Sequence, residues 1–327
     1  VRQTQACEFL PVKSLLVIKP SSLGDIVHAL QVVQTFARAQ PTCRITWVVR
    51  ERFAGLVQAA PFVHEVIIFR RRDGWRVFWG LLRTLRQRQF AAVWDLQGLL
   101  RSGLMTAAVR SPAKWGRADA REGAGLFYHK RVARPVGNGP HHALDILQEF
   151  LRVAGVTPRV DFPLELRAGP RFIWQDFLGD DPRATFVIFT DSRGAEKQWT
   201  HFDELTALIF KLIPASRVVW CAGQATQPKL AVPAGRFLNL TGCPLAEMIA
   251  LVRQPATFIG NDSGPMHLSA ASGNRVLAIF GPTSPQRFGP FPLTAQKHRA
   301  VEAPGGQLAQ LEAATVFAAL NELLARG

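Results

Sequence analysis

The sequence predicts an α/β protein built from two doubly wound, Rossmann-like domains in tandem, and three observations predict it. Short runs that are apolar throughout alternate with stretches of helical periodicity along nearly the whole chain. A length of 327 residues suits two domains rather than one. The proline-bounded stretch Pro158–Pro170 separates two series of that alternation. Strands with no polar face belong in a parallel sheet that helices cover on both sides.

The first series opens with the apolar run Leu15–Ile18, read as a strand. Ile26–Ala39 follows, with Ile26, Leu30 and Val33 at the i, i+4, i+7 spacing of one helix face. Ile45–Val49 is the next strand, Phe53–Ala59 a short helix and Val66–Phe69 a third strand. Trp75–Arg88 reads as a helix and Ala92–Asp95 as a fourth strand. Ala113–Pro140, rich in Gly, Arg and His and weak in periodicity, is expected to be a long, mobile surface loop. In the second series the strands are Phe186–Phe189, Val218–Cys221, Phe237–Leu240, Thr257–Gly260 and Val276–Phe280. The helices between and after them are Phe202–Ile213, Leu245–Arg253, Pro265–Ala271 and Gln310–Ala325. The domains are placed at 1–163 and 164–327, with the last helix packing back on the first. Ligands of open α/β sheets bind at the C-terminal ends of the strands, so a cleft between two such sheets is the expected site.

Composition narrows the function. A hydrophobic fraction of 48% with 22 Phe and 8 Trp supplies a core and excludes a disordered chain. The net charge is +15, and residues 1–160 hold 24 Lys and Arg against 10 Asp and Glu. A charge that large and that lopsided implies an acidic partner for the first half: nucleic acid, an anionic membrane or a phosphorylated substrate. A nucleic-acid-binding protein is the weaker reading, because no basic helix, RNP-like aromatic motif or zinc pattern is present. Cysteines 7, 43, 221 and 243 form no CxxC pair, which argues against a metal or redox motif and suits a reducing cytosol. No run approaches 18 apolar residues, and the stretch around Leu15–Ile18 is too short for a signal peptide.

Three loops that follow strands carry candidate chemistry. Lys19–His28 (KPSSLGDIVH) is a strand–loop–helix turn without the GxGxxG fingerprint. Its Asp25 is either a first-turn acid that favours the helix dipole or a carboxylate placed to accept a proton from a substrate hydroxyl. Asn261–Leu268 (NDSGPMHL) joins a strand to a helix. Ser263 and Gly264 would offer backbone N–H groups to an anion there, with His267 a turn further on; an ordinary capped helix fits as well. Thr190–Trp199 (TDSRGAEKQW) brings Arg193 and Lys197 to another strand end, either as a diphosphate site or as a solvated loop. No DxD-type pair occupies a strand-end loop; the doublet Asp180-Asp181 precedes a strand instead.

The order KPSSLGDIVHAL, WDLQGLLRS (94–102), EKQW, GNDSGPMHLSAASG and IFGPTSP resembles the ADP-heptose:lipopolysaccharide heptosyltransferases, glycosyltransferase family 9, and most of all their heptosyltransferase I members. The resemblance runs from Leu15 to the last helix. It implies a GT-B fold whose N-terminal domain binds the acceptor and whose C-terminal domain binds the nucleotide-sugar. It also implies inverting transfer of heptose from ADP-heptose onto Kdo of the lipopolysaccharide inner core, with neither cofactor nor metal. Asp25 maps onto the general base and Lys197 onto a catalytic diphosphate contact. Donor contacts would come from Ser192, Arg193, Gln227, Asp262, Ser263, Gly264 and His267. Acceptor contacts would come from Ser21, Ser22, Gly24, Arg70, Arg71, Arg72, Gln97 and Gly98, with a solvated loop that blocks edge pairing as the alternative reading of the arginine triplet. The chain departs from the family at Ser263, where members often have Thr, at Gln227, where a relative often has Glu, and at Ser192, which replaces a threonine pair. The implied location is the cytoplasm, peripheral on the inner face of an anionic membrane, where each basic residue contributes on the order of 1 kcal/mol. A transferase of the same family moving another sugar is the nearest alternative.

Overall fold

The computed structural model describes residues 12–70, 74–137, 139–178, 184–192, 194–223, 229, 232–293 and 295–326. Cys7, Arg71, Arg72, Asp180, Asp181, Arg193 and Gln227 therefore lie outside the described residues. The chain forms two units that part between Arg167 and Ala168, four residues beyond the boundary placed from the sequence. The reason is local: after Pro163 the chain still lies against the first unit. Glu165 N–H donates to Gln34 Oε1 (2.8 Å) and Arg167 N–H to the Ala59 carbonyl (2.7 Å).

The first unit runs β1 (Ser14–Ile18), α1 (Leu23–Ala39), β2 (Arg44–Arg50), α2 (Ala54–Ala59), β3 (Glu65–Phe69), α3 (Gly74–Arg86), β4 (Ala92–Asp95), α4 (Leu100–Ala108), β5 (Ala113–Arg117), β6 (Lys130–Val132) and α5 (Ala143–Val153). Its sheet is parallel, in the order β3-β2-β1-β4-β5-β6. Leu15–Ile18 pairs on both sides, with Ile45–Val48 and with Ala92–Asp95, and is wholly buried. That is why it is apolar throughout. Leu16, Ile18, Val48 and Val93 share one core with Phe78, Leu82 and Leu85 of α3 and Met105 of α4. Across the sheet α1 packs on α5, and Trp94 meets Phe36 and Phe150 there.

Ala113–Pro140 is not a loop. It holds β5, a 3-10 turn at Ala124–Phe127 and β6, which complete the sheet. These outer strands are short and only partly buried, so they lack an apolar signature. Gly116 in β5 lies beneath Tyr128: a Cβ there would stand 2.2 Å from the ring. The glycine that suggested a loop makes room for the chain's one tyrosine.

The second unit runs β7 (Thr185–Phe189), α6 (Phe202–Leu212), β8 (Arg217–Ala222), β9 (Phe237–Thr241), α7 (Leu245–Val252), β10 (Thr257–Asn261), α8 (Gly264–Ala271), β11 (Arg275–Phe280), α9 (Pro285–Phe288), β12 (His298–Glu302) and α10 (Ala313–Ala325). Its parallel sheet has the order β12-β11-β10-β7-β8-β9. The last helix, expected on the N-terminal domain, has Val316, Phe317, Leu320 and Leu323 in the second unit's core with Phe186, Trp199, Trp220 and Leu277. Pairing of β8 with β9 also brings Cys221 beside Cys243, closer than their spacing suggests. The Cys243 contact and burial raise the Cys221 thiol far above its ordinary range. Among the described residues no helix is long and apolar enough to cross a membrane.

Candidate functional site

In each unit the strand order reverses beside the first strand. The reversal falls between β1 and β4 in one sheet and between β7 and β10 in the other. Helices leave such a point toward opposite faces, which opens a crevice at the strands' C-terminal ends. Most of the candidate residues among those described gather at these two places.

In the first unit, Lys19 to Ser22 lead from β1 into α1. Asp25 is the third residue of that helix, three after the N-cap Ser22. Its Oδ2 accepts from the Ser22 amide (3.0 Å) and the Ser22 hydroxyl (2.7 Å). Asp25 is therefore part of the helix cap, and its side chain remains 45% exposed. Lys19, only 3% exposed, points its Nζ to within 3.9 Å of Asp25 Oδ1. Burial disfavours the Asp25 carboxylate, but Lys19, the two Ser22 hydrogen bonds and His28 outweigh it and hold the group well below the usual carboxylate range. Burial in turn pushes the Lys19 ammonium down, against the attraction of Asp25.

Beside this pair, β4 ends in Asp95, which is fully buried. Its Oδ1 accepts the amides of Gln97 (2.9 Å) and Gly98 (3.0 Å), and its Oδ2 accepts the Tyr128 hydroxyl (2.7 Å). Burial raises the Asp95 carboxyl in spite of those donors. The turn they shape needs Gly98: its φ is +71°, and a Cβ would meet the Ala120 backbone at 3.3 Å. Gln97 Oε1 accepts from the Ser21 amide at 3.4 Å, joining the two loops. Ser21, Ser22, Gly24, Asp25, Gln97 and Gly98 thus come together. Arg70 does not join them. It follows β3, two strands from β1, and its Nε donates to Glu51 (3.0 Å).

In the second unit Asp262 is the hub. Its Oδ2 accepts from Lys197 Nζ (2.7 Å) and Thr283 Oγ1 (2.8 Å), its carbonyl from Ser192 Oγ (3.3 Å), and its Oδ1 lies 3.8 Å from His267 Nε2. Asn261, fully buried, clamps the two loops: its Oδ1 accepts the Trp199 amide and its Nδ2 donates to the Thr190 carbonyl. Ser263 is the N-cap of α8, with Gly264 its first residue and Pro265 its second. The amides of Ser263 and Gly264 lie at the helix's N-terminus, where the backbone carries partial positive charge, while Pro265 has no N–H to offer. The Ser263 hydroxyl is buried and makes no hydrogen bond among the described residues. A cation, a threonine hydroxyl and a helix N-terminus on one strand edge suit a phosphate group.

The sequence reading did not assign Lys19, Asp95, Asn261 or Thr283. Each lies inside one of the motifs KPSSLGD, WDLQG, GNDSG and IFGPTSP. A lysine immediately after a buried strand and an aspartate closing one were the available signals.

The family model described as Glycosyltransferase family 9 (heptosyltransferase) matches residues 78–317. A Pseudomonas aeruginosa protein named lipopolysaccharide heptosyltransferase 1 is 30% identical over 288 residues, 83% of this chain and 79% of its own. The lipopolysaccharide core heptosyltransferase OpsX of Haemophilus influenzae is 27% identical over 294 residues, 85% of this chain and 82% of its own. Among solved structures, the E. coli heptosyltransferase WaaC with ADP superposes with a TM-score of 0.76 at 24% identity, over 95% of this chain and 99% of that one. The two Rossmann-like units are thus those of a GT-B fold.

Proposed function

The chain belongs to glycosyltransferase family 9, the heptosyltransferases, and we propose that it transfers heptose from ADP-heptose onto Kdo of the lipopolysaccharide inner core. The observation that carries the reading is the Asp25 carboxylate, held ionised by Ser22 and Lys19 at the strand-order reversal of the first unit. The names of the relatives supply the substrate class.

The reaction is a single displacement. The acceptor hydroxyl oxygen attacks the anomeric carbon, the bond from that carbon to the diphosphate oxygen breaks, and ADP leaves with the electron pair. Attack opposite the leaving group inverts the anomeric centre. The hydroxyl proton passes to Asp25, whose exposed carboxylate is the acid-base group of the β1 loop. A carboxylate this acidic is a weak base toward a free alcohol. The hydroxyl becomes strongly acidic only as its bond to carbon forms, so the proton moves late. In exchange, Asp25 stays charged at every physiological pH.

The negative charge that develops on ADP falls to the second unit. Lys197, His267, the Ser263 hydroxyl and the amides of Ser263 and Gly264 stabilise it, with Lys197 shifting from Asp262 toward the diphosphate. These groups supply the positive field that a metal gives other transferases. Among the described residues no three His, Cys, Asp or Glu side chains gather to hold a metal ion. Arg193, Ser192 and Gln227 complete the donor contacts in this reading. Ser21, Ser22, Gly24, Gln97, Gly98 and the basic run Arg70, Arg71 and Arg72 serve the acceptor, at the cytoplasmic face of the membrane that holds it. The test is direct: purified protein is incubated with Kdo-lipid A and, in turn, ADP-heptose or UDP-hexoses, and the product mass is read. Addition of heptose alone supports the reading. Addition of a hexose from a UDP-sugar favours the alternative within the family.

A further inference from the structure

On the face of the first unit opposite α1 and α5, the C-terminal halves of α3 and α4 and the start of β5 enclose a groove of about 800 Å³. Arg83, Arg86, Arg110 and Lys114 line it, with Trp79 and Leu104 among its apolar residues, and no carboxylate is among the lining residues. Arg83, Arg86 and Arg110 have no acidic partner among the described residues, whereas Arg88 nearby pairs with Glu65. Along α3, Trp75, Trp79, Arg83 and Arg86 fall at successive turns on one side. Trp75 is 56% exposed, Trp79 58% and Val77 40%. The basic last turn of α3 favours its helix dipole. That accounts for Arg83 and Arg86, Lys114 Nζ donates to the Ala107 carbonyl at the end of α4 (3.1 Å), and Arg101 lies over the Trp75 ring; none of this accounts for Arg110 converging on the other cations, nor for the exposed Trp79 beside them.

We propose that this face is the docking surface for an anionic phospholipid bilayer. The indoles enter at the headgroup level, where an amphipathic ring is most stable, and the guanidiniums meet lipid phosphates while their stems lie along the apolar floor. A bilayer is favoured over nucleic acid because the groove mixes exposed Trp and aliphatic surface with its charge. The groove lies at the N-terminal edge of the sheet, where β5 begins, away from Asp25 at the C-terminal edge. It is therefore a site separate from the acceptor contacts. The inference rests on the reading of the acceptor as lipid-linked, and it would hold that acceptor's membrane against the first unit.

The test measures binding to phosphatidylcholine vesicles with and without phosphatidylglycerol, at physiological salt and without acceptor. Three proteins are compared with the unmodified chain: R83S/R86S/R110S, the neutral change Trp79→Gln, and R38S/R152S/R159S, which removes the same formal charge from α1, α5 and the segment that follows α5. The groove variant should lose affinity for the anionic vesicles on the order of 100-fold, about fivefold per arginine. Trp79→Gln should weaken binding with no change of charge, and the α1 and α5 variant should lose far less than the groove variant. Transfer to a soluble, deacylated acceptor should remain unchanged in the groove variant. Equal losses in the two arginine variants would mean that only net charge matters and would overturn the proposal. So would a groove variant that keeps its vesicle affinity while losing affinity for duplex DNA. If vesicle binding behaves as expected but no heptose is transferred to any acceptor, the docking surface stands and the function proposed above falls.

Discussion

At Asp25 the helix cap and the proposed general base are the same atoms. The Ser22 amide and hydroxyl that make the carboxylate part of the α1 cap also fix its direction, and Lys19 keeps it charged. Asp25→Asn keeps the size and one acceptor oxygen but cannot take a proton. Turnover should fall about 100-fold or more, the range of general-base catalysis, with ADP affinity unchanged; titration calorimetry beside steady-state kinetics separates the two. Lys19→Met tests the charge pairing through pH. In the proposed mechanism the ionised carboxylate is the active form, so kcat/KM should fall as pH drops through its pKa. In the unmodified chain that acid limb lies below the usual carboxylate range. Without Lys19, burial is opposed by less, the pKa rises and the limb moves to higher pH. A limb that stays in place would show that Lys19 does not set the charge of Asp25. The same substitution leaves the alkaline side, where Asp25 is charged in either protein, little altered by this effect.

At the scale of elements, the turns after β4 and β10 are each organised by a buried polar side chain. Asp95→Ala removes the acceptor for three donors and should cost on the order of 3 kcal/mol in unfolding free energy by denaturant titration. It should also raise the acceptor KM, because the Gln97–Gly98 turn loses its anchor. Asp95→Asn keeps an oxygen for the two amides and should cost much less. In the second unit, Lys197→Ala and His267→Ala should weaken ADP binding while EDTA leaves activity and affinity as they were; activity lost to a chelator and restored by Mg²⁺ would contradict the cationic account. The elements also show what a sequence can reveal. Strands buried on both sides, such as Leu15–Ile18 and Val276–Phe280, announce themselves because nothing polar is tolerated there. The edge strands β6 and β12 spell KRV and HRAVE, and β5 spells AKWGR, since partial exposure relaxes the demand. The loops at the site were legible as motifs. Their cross-links were not, because Lys197 with Asp262 and Thr190 with Asn261 are contacts over 65 and 71 residues that only the strand order creates.

Across the whole molecule, the two units share a strand order, and each places its candidate groups where that order reverses, yet their charges differ. The first 160 residues carry 24 Lys and Arg against 10 Asp and Glu; the remainder is nearly balanced. A field of that size attracts a polyanionic acceptor at long range and is screened over about 8 Å at physiological salt. The proposed donor contacts, amides and the half-buried Lys197, act at short range. Added salt should therefore raise the acceptor KM much more than the ADP dissociation constant. Replacing Arg70, Arg71 and Arg72 by Ser should do the same, with Arg70 contributing least because Glu51 already neutralises it. Lost ADP affinity with unchanged acceptor kinetics would reverse the assignment of ligands to units. The measurement that bears most directly on the account is the mass of the product formed from Kdo-lipid A when ADP-heptose and UDP-hexoses are offered together to the unmodified protein and to Asp25→Asn. The account predicts one added heptose with the unmodified protein and almost none with the variant, at equal ADP affinity. A hexose on the acceptor, or a variant that transfers heptose at the unmodified rate, would contradict it.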